Sequence, residues 1–153
     1  MKRFRTGIGW TVAWGLVIFG SSMTVVLRDP FIKAVGGALP GENGIQRFEA
    51  FWNTWWWVVV KGWHVAEFLI LCLILNRFLS RRFPAREAYA WSALASLLYA
   101  ALDEFHQLFI DQRGGRVEDV LIDAVGIALA GLILFLLNRR RGRASEEDGT
   151  EAT

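Results

Sequence analysis

Long apolar runs separated by short charged segments dominate the chain. Four such runs cover about residues 7–27, 55–75, 87–107 and 118–137. A helix needs about 20 mostly apolar residues to cross the hydrocarbon core of a bilayer. The pattern therefore predicts an all-α membrane protein in which four transmembrane helices form a small bundle.

Composition supports a lipid bilayer as the surroundings of most of these side chains. The chain has 153 residues, of which 54% are hydrophobic and eight are tryptophan, and one small soluble core cannot bury so much apolar surface. The net charge of +2 is small, and the basic residues stand beside the apolar runs. This arrangement is typical of membrane topology signals, so no nucleic acid partner is expected. The single cysteine, Cys72, lies within an apolar run, and no disulfide within the chain is expected.

The first run has an alternative interpretation as a cleaved signal peptide, because Gly20, Ser21 and Ser22 resemble a cleavage sequence. Its uncharged stretch exceeds the apolar core of about 7–15 residues that such peptides usually contain. We therefore expect a transmembrane helix there.

Lysine and arginine are distributed unequally between the predicted connections. Eleven fall before residue 7, in the 77–86 connection and in the C-terminal tail, whereas five fall in the other two connections. Basic residues are retained on the cytoplasmic side, so both termini are predicted to be cytoplasmic in a bacterial cell membrane. Residues 1–142 form the predicted transmembrane domain, and the polar, acidic segment 143–153 is predicted to be a disordered cytoplasmic tail.

The 28–54 connection is predicted to be an extended external loop, because it contains Gly36, Gly37, Pro40 and Gly41. Next to it, tryptophans crowd the outer end of the second helix: Trp52, Trp55, Trp56, Trp57 and Trp63. Indole rings favour the headgroup region of a bilayer, so these side chains are interpreted as an interfacial belt rather than as a ligand site.

Polar residues inside the predicted helices are the strongest functional signal. Lys61, His64 and Glu67 recur every third residue along the second helix and share one stripe. An ionised side chain at the centre of a bilayer costs at least about 2.5–3.5 kcal/mol. These residues must therefore face protein or water, and they need partners.

The third and fourth helices supply partners at the same end of the predicted bundle, and a glycine-containing connection adds two arginines. Spacings of three and four place most of these side chains on shared helical faces. We predict an outward-facing polar pocket with eleven members: Lys61, His64, Glu67, Asp103, Glu104, His106, Gln107, Arg113, Arg116, Asp119 and Asp123.

A purely structural role, in which these charges only hold helices together, is one alternative. Polar contacts between membrane helices average only about 0.6 kcal/mol. Burial of many ionisable groups would therefore add little stability, and a pocket open to the outside is favoured.

Two functions of the pocket stay open. Anion binding by Lys61, Arg113 and Arg116 needs the fewest assumptions and would suit an anionic or lipid-linked molecule of the cell envelope. Acid–base catalysis by Glu104 and His106 on a lipid-linked substrate is the enzymatic alternative and is less favoured.

A metal site formed by His64, Glu67, Asp103 and His106 is compatible with the spacing of these residues. The cations predicted at the same end of the bundle disfavour it, so neither a metal nor another cofactor is predicted.

Nucleophilic catalysis is disfavoured for a geometric reason. Ser92 and Ser96 lie deep in the third helix, and Cys72 is about 12 Å of helical rise from His64.

Small residues on the fourth helix allow another helix to approach closely: Ala124, Gly126, Ala128, Ala130 and Gly131. They would serve either the bundle or a dimer.

These residues resemble two motifs of the VanZ-like family: Lys61-x-x-His64-x-x-Glu67-Phe68, and Asp103-Glu104-Phe105-His106-Gln107 followed by Arg113, Asp119, Asp123 and Gly126. The resemblance covers about residues 57–131. The chain departs from the family pattern before Arg113, where Asp111 and Gln112 replace the usual Pro-Gly.

The resemblance implies a small multi-pass bacterial membrane protein associated with low-level resistance to teicoplanin-type glycopeptides. It implies no agreed biochemical reaction. The expected function is engagement of a cell-envelope component by the polar pocket, with an effect on glycopeptide susceptibility.

Overall fold

The structure, a computed structural model, describes residues 2–24, 27–110 and 114–151, and the side chains of 7–24, 27–110 and 114–140. In these ranges the chain forms α1 (Lys2–Met23), α2 (Arg28–Ala38), α3 (Gly44–Leu79), α4 (Ala85–Gln107) and α5 (Val117–Glu151). No strand occurs among the described residues, and the all-α prediction is confirmed.

Helix α3 is the centre of the bundle. It packs against α1, α2, α4 and α5, and α4 also packs against α1 and α5. The apolar core lies where α1, α3, α4 and α5 meet, and it consists of Ile18, Phe68, Leu71, Cys72, Ala100, Ile127 and Ala130.

Three of the small residues of α5 pack within the chain. A Cβ atom added at Gly126 would lie 2.2 Å from the Val65 carbonyl oxygen of α3, and one at Gly131 would lie 2.4 Å from the Tyr89 hydroxyl of α4. Ala130 is fully buried in the core. These residues therefore serve the bundle, and dimerisation through α5 stays a prediction.

The 28–54 connection differs from its prediction as an extended loop, because it contains α2 and the first turns of α3. Gly36, one of the glycines that suggested a loop, allows two helices to touch, because a Cβ atom there would lie 2.6 Å from the Ile45 Cα. Arg28 adds a 3.0 Å ion pair with Glu49 of α3. Only Gly41, with φ of 102°, has the left-handed backbone of a turn among the described glycines.

Among the described residues, two helices are long and apolar enough to cross a membrane: Gly44–Leu79, which contains an 18-residue stretch of mean hydropathy 2.0, and Val117–Arg140, which contains one of mean hydropathy 2.7. The helical segments Gly7–Met23 and Arg28–Ala38 are bent by 111° relative to each other. If this bent pair is treated as a single span, it is the third candidate. Helix α4 does not qualify by the same measure. The predicted fourth span is therefore not established by length and composition.

Many polar side chains lie inside the bundle and many apolar ones outside it, which is the reverse of the arrangement in a soluble domain. Among the described residues, ten polar or charged side chains are buried but only nine hydrophobic ones are. Large apolar side chains cover the outside, and Trp55, Trp56, Trp57 and Trp63 are each about half exposed. Exposed apolar surface of this extent is typical of a protein in contact with lipid.

Helix α5 runs to Glu151 and so passes through most of the 143–153 segment that was predicted to be disordered. Extending an existing helix requires no new nucleus, which explains how a polar segment of this composition continues it.

Candidate functional site

Three helices bring buried polar side chains together at the end of the bundle where α4 ends and α5 begins. We call this set the polar cluster: Lys61, His64 and Glu67 of α3, Asp103, Glu104 and Gln107 of α4, and Asp119 and Asp123 of α5. All of them belong to the predicted pocket, and all except Lys61 and Asp119 are buried.

His64 and Asp123 form the centre of the polar cluster. The His64 Nδ1 and Asp123 Oδ1 atoms are 3.4 Å apart, and Asp123 is 0% exposed. Neither atom, nor Asp123 Oδ2, has a hydrogen-bond partner among the described residues. The close packing of α3 on Gly126 brings the two side chains this near to each other.

Glu104 reaches the same centre from α4, and two donors hold it. The Gln107 Nε2 group donates to Glu104 Oε1 at 3.2 Å, and the Arg116 backbone N–H donates to Oε2 at 2.9 Å. The second bond depends on Gly115, because a Cβ atom there would lie 2.0 Å from the Glu104 carbonyl oxygen. A glycine thus lets the connection fold against the end of α4.

Helix α1 completes the cluster with hydroxyl groups. Ser22 donates a 2.6 Å hydrogen bond to Asp103 Oδ2, and Ser21 donates a 2.5 Å bond to Glu67 Oε1. The Trp14 indole N–H donates to the Glu67 carbonyl oxygen at 2.9 Å. These contacts fix α1 against α3 and α4 at the level of the carboxylates.

The three residues predicted to bind an anion, Lys61, Arg113 and Arg116, differ in their relation to the polar cluster. The Lys61 ammonium group pairs with the Asp119 carboxylate. Arg116 offers its backbone N–H to the cluster while its side chain is exposed. Arg113 lies outside the described residues.

His106 belongs to the predicted pocket but faces α1. Its ring stacks on Phe19, with ring centroids 4.8 Å apart and planes 29° apart. Its buried Nδ1 has no hydrogen-bond partner among the described residues. The structure therefore does not pair His106 with Glu104 in the way that the acid–base hypothesis requires.

One group of side chains has the geometry of metal ligands. Ligand atoms of His64, Glu104 and Asp123 lie within 4.8 Å of one another. The spacing in sequence suggested His64 with Glu67, Asp103 and His106 instead. Only His64 is common to the two sets, because the rotation of α3 and α5 about their axes decides which carboxylates converge.

An apolar groove opens beside the polar cluster. Its volume is about 730 Å³, and Phe31, Val59 and Trp63 contribute its apolar walls. Ser21 and His64 line it too, so it leads from lipid-facing surface to the edge of the cluster.

The nucleophiles disfavoured from the sequence lie away from the cluster. Cys72 is buried in the apolar core, and Ser92 donates its hydroxyl to the Ala88 carbonyl oxygen of its own helix at 2.6 Å.

A family model described as VanZ/LLP1 matches residues 9–138. This chain belongs to the VanZ/LLP1 family. The resemblance inferred from the motifs is thereby confirmed, and the lipid-facing helices agree with a VanZ-like membrane protein. No curated protein and no solved structure matches the chain significantly.

The matched segment contains the entire polar cluster of this VanZ/LLP1 chain and also Ser21 and Ser22. Sequence reasoning missed both serines as partners of the carboxylates. A polar pair near the end of an otherwise apolar run was the available signal, but it was interpreted only as a possible cleavage sequence.

Proposed function

We propose that this VanZ/LLP1 family member is a multi-pass bacterial cell-membrane protein whose polar cluster faces outwards and engages a lipid-linked or anionic component of the cell envelope. The observation that carries the proposal is the apolar groove, whose lining includes His64 of the polar cluster and Ser21, the donor to Glu67. A groove of this kind suits an amphiphile, with its hydrocarbon chain in the groove and its head group at the cluster.

The proposed topology has four spans, with α4 as the third. Its 23 residues give a length of about 35 Å at about 1.5 Å per residue, which exceeds the hydrocarbon thickness of about 30 Å. The excess of lysine and arginine at the termini and in the 77–86 connection supports a cytoplasmic location for both termini. In this orientation the polar cluster is on the outer side.

The free-energy cost of burying the charged side chains of the polar cluster supports a binding role. Buried charges in a membrane are expensive and are usually kept for function. Paired charges of this kind often give no more stability than apolar residues of the same volume. Asp123 is fully buried and its oxygens have no hydrogen-bond partner among the described residues, so the 3.4 Å approach to His64 Nδ1 is a weak return for burying this carboxylate.

Lys61, Arg113 and Arg116 are the proposed anion-binding side chains. Lys61 is already bound to Asp119, so a head group would compete with that carboxylate. Through this site the protein would modulate glycopeptide susceptibility, as the family association with teicoplanin implies.

A second candidate is an intramembrane enzyme acting on a lipid-linked envelope substrate. The convergence of His64, Glu104 and Asp123 favours it, since an imidazole beside two carboxylates is a suitable acid–base set. Turnover of phosphorylated or glycosylated polyprenols by the purified protein would distinguish this candidate from binding alone.

Lipid binding tests the main proposal. The full chain in detergent would be titrated with a polyprenyl phosphate and followed by native mass spectrometry, with the unphosphorylated polyprenol and phosphatidylglycerol as comparison ligands. We expect the polyprenyl phosphate to bind at least about tenfold more tightly than the other two, a difference of about 1.4 kcal/mol. Failure of all three to associate would overturn the proposal.

Two glycine variants separate the groove from general effects of mutation. Gly62 lines the groove, and nothing lies within 4 Å of a Cβ atom added there, so Gly62→Leu should fill the groove without a clash. Gly20 has equal space around it but does not line the groove. We expect Gly62→Leu to weaken binding of the polyprenyl phosphate by about tenfold and Gly20→Leu to leave it unchanged.

A further inference from the structure

We propose that His64, Glu104 and Asp123 bind one divalent transition-metal cation, and that zinc is the ion best matched to them. This inference goes beyond the proposed function and does not require the lipid ligand. It contradicts the expectation from the sequence that no metal is bound.

The first argument is the convergence of three helices on one point. The ligand atoms of His64, Glu104 and Asp123 lie within 4.8 Å of one another. Zinc binds imidazole nitrogen and carboxylate oxygen at about 2.0–2.2 Å, so two ligand atoms on one tetrahedral ion are about 3.3 Å apart. His64 Nδ1 and Asp123 Oδ1 already have a separation of 3.4 Å.

The second argument is the state of the Asp123 carboxylate. It is 0% exposed, and neither oxygen has a hydrogen-bond partner among the described residues. Buried carboxylates are normally hydrogen-bonded, paired or coordinated to a metal. The orphaned Nδ1 of His64 faces the same carboxylate, and one cation between them would satisfy both groups.

The third argument is the balance of charge. The polar cluster contains five carboxylates: Glu67, Asp103, Glu104, Asp119 and Asp123. Among the described side chains Lys61 is the full cation within the cluster, and its ammonium group is committed to Asp119. The Arg116 side chain is exposed. Of the described cations that disfavoured a metal in the sequence, Lys61 is thus paired with a carboxylate and the Arg116 side chain is exposed, and a divalent ion would offset the surplus of negative charge.

The donor set and its supports match a zinc site with an open position. One imidazole and two carboxylates leave a coordination position for water or for an oxygen of a ligand, as in catalytic zinc sites with three protein ligands. Gln107 and the Arg116 backbone N–H hold the Glu104 carboxylate in place. Groups that orient a ligand in this way raise metal affinity, typically by about 10- to 100-fold.

A simple ion pair between His64 and Asp123 is the competing explanation of the same geometry. It would leave Asp123 Oδ2 without a hydrogen-bond partner among the described residues, and it would assign Glu104 only its bonds to Gln107 and to the Arg116 backbone N–H. The two explanations differ in whether the purified protein holds a metal.

The experiment uses the full chain in detergent, purified without a histidine tag and stripped with a chelator. Zinc binding would be measured by calorimetry and elemental analysis, and thermal unfolding would be followed with and without zinc. We expect one zinc ion per chain and a rise in Tm that depends on zinc concentration. If the correctly folded, metal-stripped wild-type protein does not bind zinc stoichiometrically when zinc is added, the proposal is overturned in favour of the ion pair.

Ligand variants and a charge-matched control identify the site. Asp123→Asn, His64→Gln and Glu104→Gln should each weaken zinc binding by about 100-fold or more and abolish the rise in Tm. Asp103→Asn also removes one buried carboxylate charge but not a ligand, so its loss should be at least about tenfold smaller. Equal losses for Asp103→Asn and the three ligand variants would contradict the assignment.

Spectroscopy of the wild-type protein keeps the proposal testable where a variant fails to fold. X-ray absorption at the zinc edge should show oxygen ligands with one imidazole and no sulfur. The chain has two histidines and one cysteine, so a second imidazole would implicate His106, and a sulfur ligand would implicate Cys72. Either result would overturn the assignment, whatever the outcome of the lipid-binding experiment.

Discussion

Gly126 of α5 lies directly against the backbone of α3 at Val65. A Cβ atom at Gly126 would stand 2.2 Å from the Val65 carbonyl oxygen. His64 is the preceding residue of α3, and Asp123 lies three residues before Gly126 on α5. The contact therefore sets the 3.4 Å distance between His64 Nδ1 and Asp123 Oδ1, and the polar cluster depends on a residue that has no side chain.

Gly126→Ala should destabilise the protein, because α3 and α5 must separate to admit the methyl group. Overpacking of this kind typically costs about 1–3 kcal/mol, and the loss would be measured as the free energy of unfolding in detergent. Gly20→Ala is the matched control, since nothing lies within 4 Å of its added Cβ atom. That change should be neutral or stabilising by up to about 1 kcal/mol. Equal effects of the two substitutions would show that the helix contact is not tight.

The helices and all eight members of the polar cluster could be predicted from the sequence because both depend on local features. Hydropathy located the two spans that qualify by length and composition, and spacings of three and four placed polar residues on shared faces. The predicted spans 87–107 and 118–137 lie within α4 (Ala85–Gln107) and α5 (Val117–Glu151).

Contacts between elements could not be predicted in the same way. Whether Asp123 meets His64 or Lys61 depends on how α3 and α5 are rotated, which hydropathy does not specify. The 28–54 segment was predicted to be a loop because glycine usually breaks helices, whereas Gly36 lies in α2 and allows close contact with α3. Ser22 was not predicted to donate to Asp103, because one hydroxyl in an apolar run does not indicate which residue of another helix it contacts.

Ser22→Ala should destabilise the bundle through Asp103. The buried Ser22 hydroxyl donates to Asp103 Oδ2 at 2.6 Å, and polar contacts between membrane helices contribute about 0.6–1.7 kcal/mol. We expect a loss in that range or slightly below it, measured by unfolding in detergent. Thr24→Ala removes an exposed hydroxyl that bonds to the Gly20 carbonyl oxygen of its own helix, and it should have little effect. A loss as large as that of Ser22→Ala would argue against a specific role for the serine.

Lys61 and Asp119 should affect anion binding in opposite directions. Lys61→Gln removes the cation and should weaken binding of a polyprenyl phosphate. Asp119→Asn removes the carboxylate that competes for the ammonium group and should strengthen binding, by about fivefold if the pair contributes about 1 kcal/mol. Native mass spectrometry of both variants would measure this, with the unphosphorylated polyprenol as the control ligand. Weaker binding in both variants would mean that the intact ion pair, rather than free Lys61, is needed.

Drug sensitivity tests whether the polar cluster acts in cells. In a teicoplanin-sensitive bacterium, the wild-type chain should raise the minimum inhibitory concentration above that of an empty vector, and Glu104→Gln should return it to that value at matched membrane levels. Glu49→Gln, which changes a half-exposed side chain of the ion pair with Arg28, is the control and should protect fully.

The same assay distinguishes a packing role of His106 from a chemical one. His106→Phe is informative because it keeps a ring to stack on Phe19 but removes the imidazole. Protection by His106→Phe together with loss in His106→Ala would assign His106 to packing, whereas loss in both would assign it to chemistry. Absence of protection by every variant and by the wild type, with normal insertion, would separate this chain from the glycopeptide phenotype and leave lipid binding as the test of its function.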